Sequence, residues 1–176
     1  MVVRDDVVRI WCLLSLVFAT TVSCFRDTRE ATGPVPRVAS EVNSDNNDIL
    51  VVLFRRLVSV NKSSIRETAE AYVVSVGEGD TLVDPDPTVL GALEDCEPPT
   101  VAASRAEIRG DGVYLRGSER RSLLLFAKIL AQPDSSTVVA TGGYVEDGLG
   151  AARFVWLLRR TPSGWRIESG CLLSVS

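Results

Sequence analysis

The 176-residue chain contains no histidine. That absence removes Ser-His-Asp and Cys-His nucleophilic catalysis, imidazole proton shuttling and nearly every common catalytic zinc site. Any chemistry must then come from carboxylates, Tyr, Lys or Arg. Lysine is almost as scarce, with Lys62 and Lys128 alone, and the formal net charge is −4. Binding nucleic acid through counterion release needs a concentrated basic face, and none is evident, so no nucleic-acid partner is expected. No apolar run reaches the roughly 20 residues of a bilayer-spanning helix. What the chain does have is 45% hydrophobic residues, enough for the core of one ordinary domain.

The longest uncharged stretch near the start, Ile10 to Phe25, holds Trp11, Leu13, Leu14, Leu16, Val17 and Phe18 before turning small and polar at Ala19-Thr20-Thr21. This is the shape of a signal-peptide core followed by a cleavage region, with a short membrane anchor as the alternative. Thr21-Val22-Ser23-Cys24 resembles a bacterial lipobox, in which a small residue precedes a cysteine that is diacylated and becomes the new N-terminus. The resemblance implies removal of residues 1–23, a lipid on Cys24, and a location in the bacterial cell envelope on the periplasmic or extracellular face of a membrane. Residues 24–47 are poor in large apolar side chains and read as a flexible tether between the anchor and a folded domain. With Cys12 discarded and Cys24 lipidated, Cys96 and Cys171 remain. They read either as a disulfide, which would close a loop of about 75 residues and stabilise the fold by about 4.5 kcal/mol, or as two separate buried thiols.

Residues 48–176 are expected to form a single α+β domain. Asp48 to Val60 places Ile49, Leu50, Leu53, Phe54, Leu57 and Val60 on one helical stripe, with Arg55, Arg56 and Ser59 opposite and Asn47 or Asp48 as N-cap. A Val-rich strand is the competing reading. Ser64-Ile65-Arg66-Glu67 has the form of a capping box. Ala71 to Val76 reads as a strand with Tyr72, Val74 and Val76 on one side, and Asp86-Pro87 opens a short helix to Glu94. From Thr100 onward the period is two. Turn signals at Gly110–Gly112, Gln132–Asp134, Glu146–Gly148 and Thr161–Gly164 predict strands near 122–130, 137–145, 151–160 and 165–174. The expected architecture is an N-terminal helix packed on a curved antiparallel sheet that ends in a four-stranded meander. Phe154, Trp156, Gly164, Trp165 and Ile167, in a strand, a Gly-containing turn and a Trp-bearing last strand, resemble the closing strands of cystatin-like or nuclear transport factor 2-like domains. That resemblance implies a helix and sheet able to enclose a pocket, and no particular activity.

Candidate chemistry is sparse. Glu78, Asp80, Asp84 and Asp86 are oxygen donors of the kind that calcium takes, but turn and capping roles explain the aspartates, and no metal or cofactor is expected. Ser59-Val60-Asn61-Lys62 has the S-x-x-K form without its companion motifs. Gly148 to Arg153 imitates a dinucleotide fingerprint but joins two strands, and Gly142-Gly143 reads as a bulge or a close approach of backbone. Tyr114, Tyr144, Trp156 and Trp165 could line a pocket or serve as core. The expectation is a non-catalytic binding or interaction domain held at a membrane by its lipid, with an envelope protein or a small ligand as partner. A ligand-binding pocket protein and a carboxylate-based hydrolase or isomerase are the alternatives. Oligomeric state is not legible in the sequence.

Overall fold

The computed structural model describes residues 38–77, 81–110, 112–146 and 150–175. Helix α1 spans Val38–Val60 and a short helix α2 spans Pro87–Gly91. Eight strands follow the order β1 Tyr72–Ser75, β2 Thr100–Ala102, β3 Ala106–Arg109, β4 Gly112–Leu115, β5 Arg121–Asp134, β6 Thr137–Val145, β7 Ala151–Thr161 and β8 Gly164–Val175. They make one sheet in the order β2-β1-β5-β6-β7-β8, with the β3–β4 hairpin attached to β5. The class is α+β.

The sheet is mixed rather than antiparallel, which corrects the expectation. β1 lies between β2 and β5 and runs parallel to both. Parallel neighbours require a crossover connection, and α2 lies in the one that joins β1 to β2. From β5 to β8 each strand pairs antiparallel with the next in the chain. The expected turn at Gln132–Asp134 falls inside β5, which continues to Asp134. The reversal comes at Ser135-Ser136, where the Asp134 carboxylate accepts from the Ser136 amide at 2.7 Å.

α1 carries the principal core. Ile49, Leu53, Phe54 and Leu57 are fully buried, and the spacing i, i+4, i+8 of Ile49, Leu53 and Leu57 is that of one helical face. Each such side chain contributes about 1.5–3 kcal/mol on burial. They pack on Tyr72 and Val74 of β1, Leu123, Leu125 and Ala127 of β5, Val138 and Ala140 of β6, and Trp156 and Leu158 of β7. The opposite face of the sheet has a smaller cluster, Val73, Val113 and Leu124 with Ala103 and Ala106. This explains why all four residues of β1 are buried.

The helix starts ten residues before Asp48, so Asn47 and Asp48 are interior positions rather than caps, and the expected tether is helical from Val38. Polar side chains in this first part are held by distant partners. Arg160 donates to both carboxylate oxygens of Asp45 at 2.8 and 2.9 Å, and Asn47 Nδ2 donates to Thr88 Oγ1 at 2.9 Å. Ser64 opens no helix. Its amide donates to Glu146 Oε2 at 3.1 Å and its hydroxyl to Glu146 Oε1, pinning the loop after α1 to the end of β6. Asp86 does cap α2, accepting from the Thr88 amide at 2.9 Å. The Cys96–Cys171 disulfide is not formed: both are free, half-buried thiols. Cys96 packs under the core after α2, and Cys171 sits on β8 opposite Val155 of β7. No helix among the described residues is long and apolar enough to cross a membrane.

Candidate functional site

A groove of about 670 Å³ lies between the second half of α1 and the β7–β8 hairpin. Its floor is aromatic. Phe154 and Trp156, two apart on β7 and so on the same face, stack with ring centroids 5.3 Å apart and an interplanar angle of 12°. Trp165 closes one end, and Leu172 lies near the other. The α1 wall offers Val52, Arg55, Arg56, Ser59 and Val60, residues three and four apart on one side of the helix.

Two missing side chains let the Trp156 ring lie where it does. Trp156 pairs across the sheet with Gly170 of β8. A Cβ placed on Gly170 would stand 2.7 Å from the indole Nε1 and closer still to Cδ1. On the β6 side, a Cβ on Gly142 would stand 3.0 Å from Trp156 Cζ3. The indole therefore spans both neighbouring strands, bounded by a glycine on each side. Gly142 and Gly143 are not a bulge, since β6 keeps regular register with β7 through both. They are the places where rings approach backbone, Gly142 on the face with Trp156 and Gly143 on the other face with Phe126.

Charge is concentrated on the α1 side and along β8. Arg55 is committed: it donates to both oxygens of Asp95 at 3.2 and 2.9 Å and to the Ala92 carbonyl at 2.7 Å. That hydrogen-bonded guanidinium holds the Asp95 carboxyl below its ordinary range. Glu168, the one carboxylate on the groove, accepts from Arg159 Nε at 2.9 Å. Arg56 and Arg166 make no ion pair among the described residues. Arg160 is tied to Asp45 and stands 5.7 Å over the Trp165 ring. The Trp165 indole Nε1 is buried without a hydrogen-bond partner.

Of the four aromatics singled out as pocket candidates, the structure brings Trp156 and Trp165 together on the groove. Tyr144 is on β6 against the main core, and Tyr114 is on β4 beneath the Arg109 guanidinium, 4.5 Å from its ring centroid. Neither reaches the groove. The residues that sequence reasoning missed are Val52, Arg56 and the β8 run from Glu168 to Leu172. Arg55, Arg56 and Ser59, which the sequence places opposite the apolar stripe, form the rim of the groove. The available signal was the uncharged stretch from Ser169 to Ser176 at the end of the chain.

The remaining candidates resolve into structural roles. Asp84 accepts from the Ser104 amide at 2.6 Å, and Asp86 is the α2 cap, its carboxyl held below the ordinary range chiefly by the Thr88 hydroxyl. Ser59 donates its hydroxyl to the Arg56 carbonyl at 2.8 Å. Among the described residues no three His, Cys, Asp or Glu side chains gather as a metal site. Cys24 and its lipobox-like stretch, Glu78, Asp80 and the 147–149 turn lie outside the described residues. Compared with known protein families, with curated proteins and with solved structures, the chain matches none.

Proposed function

We propose that the chain is a membrane-tethered binding module of a bacterial cell envelope. Cys24 carries the lipid, the residues up to the start of α1 provide reach, and the domain from Val38 binds through the groove between α1 and the β7–β8 hairpin. The observation that carries this reading is the composition of that groove. It has an aromatic and aliphatic floor in which Trp156 and Trp165 are largely buried, arginines along one rim, and a single carboxylate already engaged by Arg159. A carboxylate-based hydrolase or isomerase needs a pair of carboxylates, or a carboxylate and a tyrosine, converging on an apolar pocket. The groove brings neither pair together, whereas an apolar floor rimmed by arginines and continued by exposed Leu172 suits binding of another molecule.

Two measurements test the two parts. Intact mass of protein extracted from membranes is expected to begin at a diacylated Cys24. An unmodified Cys24 still preceded by Met1 to Ser23 removes the tether. The chain has three tryptophans and two of them line the groove, so in the full chain with Trp11→Phe the intrinsic emission comes from the groove alone. Titration with the amphiphile 1-anilinonaphthalene-8-sulfonate is expected to quench that emission by energy transfer, and Leu172→Lys to weaken the effect. Unaltered tryptophan emission sinks the groove as a binding surface.

A further inference from the structure

We propose that the groove is a strand-addition site, in which an extended peptide segment of a partner protein pairs with the free edge of β8 and lies between that edge and α1. This rests on reading the groove as the binding surface and adds what it binds. Eight consecutive residues, Trp165 to Leu172, border the groove. A strand that offered only one of its faces would contribute alternate residues, because successive side chains point to opposite sides of a sheet. An unbroken run means that the groove follows the backbone edge itself.

β8 ends the strand order, so its outward N–H and C=O groups have no strand partner among the described residues. Edge strands are ordinarily shielded by charge, proline or brevity. β2, at the other edge, is three residues long. β8 has twelve, with neither charge nor proline from Ser169 to Val175. Two bulges interrupt its pairing with β7, and Ser169 to Leu172 is the regular stretch between them. Leu172, Leu173 and Val175 are 52, 55 and 68% exposed, so the apolar surface continues past the groove along the same strand.

A channel walled by a sheet edge on one side and a helix on the other is the arrangement in which extended peptides bind through backbone hydrogen bonds, with alternate side chains supplying specificity. At about 3.3 Å per residue, a segment of roughly five to eight residues covers Trp165 to Leu172. Its chemistry follows from the walls. Alternate positions meet Trp165, Trp156 and Leu172 and are apolar. Positions between them face away from α1, beside Arg166, which makes no ion pair among the described residues, and are acidic.

The test selects ligands for the full chain, with Trp11→Phe, from a displayed library of random heptapeptides and follows synthetic copies by tryptophan emission. The expected result is a consensus alternating apolar residues with at least one Asp or Glu. N-methylation of the peptide backbone is expected to weaken binding at least tenfold at every second position and little between. Leu172→Lys, at an exposed position, is expected to weaken it at least tenfold, and Arg166→Glu to remove the acidic preference. Binding indifferent to the position of N-methylation overturns strand addition in the unaltered protein, whatever the variants do. Dimerisation of the full chain through this edge, seen by sedimentation and abolished by Leu172→Lys, makes the occupant a second copy and overturns the partner peptide. If the naphthalene sulfonate quenches the groove tryptophans but no peptide is selected, this inference falls and the groove stands; if neither binds, both fall.

Discussion

Replacing Gly170 by alanine tests the placement of Trp156, on which the groove floor depends. The added methyl group would come within 2.7 Å of the indole Nε1 and nearer to Cδ1, distances at which atoms must move. The ring has little room to retreat, because its far edge already lies against Gly142 of β6 and its face is stacked on Phe154. In an open strand the change from glycine to alanine would gain about 0.5–1 kcal/mol through backbone entropy. Overpacking costs about 1–3 kcal/mol, so the net lies between about 0 and 2.5 kcal/mol, and contacts as close as those at Gly170 place the expected loss in the upper half of that range, about 1.5 kcal/mol or more. With a urea dependence of about 1.5 kcal/mol per M, the unfolding midpoint falls by roughly 1 M. The emission of the native state should shift as well, because the displaced indole is one of the two in the groove. Gly91→Ala is the control: a Cβ at Gly91 meets nothing within 4 Å, so the midpoint should hold or rise. Equal midpoints and spectra for Gly170→Ala and the unaltered chain would show that Trp156 does not lie over β8.

The other predictions concern the loop after α1, the thiols and acid. Glu146→Ala removes the acceptor for the Ser64 amide and hydroxyl and is expected to cost about 1–3 kcal/mol in urea unfolding; a change within error refutes the clamp. Both Cys96 and Cys171 should be found as free thiols by mass mapping after alkylation under native conditions, Cys171 first. Cys171 borders the groove, whereas burial pushes the Cys96 thiol above its ordinary pKa. A disulfide, or Cys96 reacting first, contradicts this. Asp86 and Asp95 have carboxyls held below the ordinary range by hydrogen bonds, from Thr88 and Arg55. A carboxyl with a lowered folded pKa gives stability that is present above its unfolded value, about 3.9, and is lost as pH falls through the folded one. Stability should therefore decline below about pH 4, and the Asp86→Asn, Asp95→Asn double variant should show a shallower decline.

The parts of the fold legible in the sequence were those with a local period. Ile49, Leu53 and Leu57 announced the buried face of α1, and Asp86-Pro87 announced α2, because cap and stripe are properties of adjacent residues. The first ten residues of α1 carried no apolar period, and the partners that hold them, Arg160 for Asp45 and Thr88 for Asn47, are 115 and 41 residues away. The period-two reading of β1 put Tyr72 and Val74 on one side, which is the helix side, but missed that Val73 is buried on the other. Nothing in three residues of β2 signals a parallel partner. In the groove, Trp156 and Trp165 were visible as aromatics in strands. The pairing that separates them from Tyr114 and Tyr144 was not, and neither was the role of Gly170, whose meaning is set by the ring on the next strand.

If the domain binds through the groove along β8 and α1, amides on both walls must change when a ligand occupies it. Residue-resolved amide hydrogen exchange of the full chain, with and without a peptide selected on it, tests this directly. New protection is expected at alternate amides within Trp165 to Leu172, with slower exchange near Val52 to Ser59 and β2 unchanged. Protection elsewhere, with exchange along β8 unaltered, would contradict it.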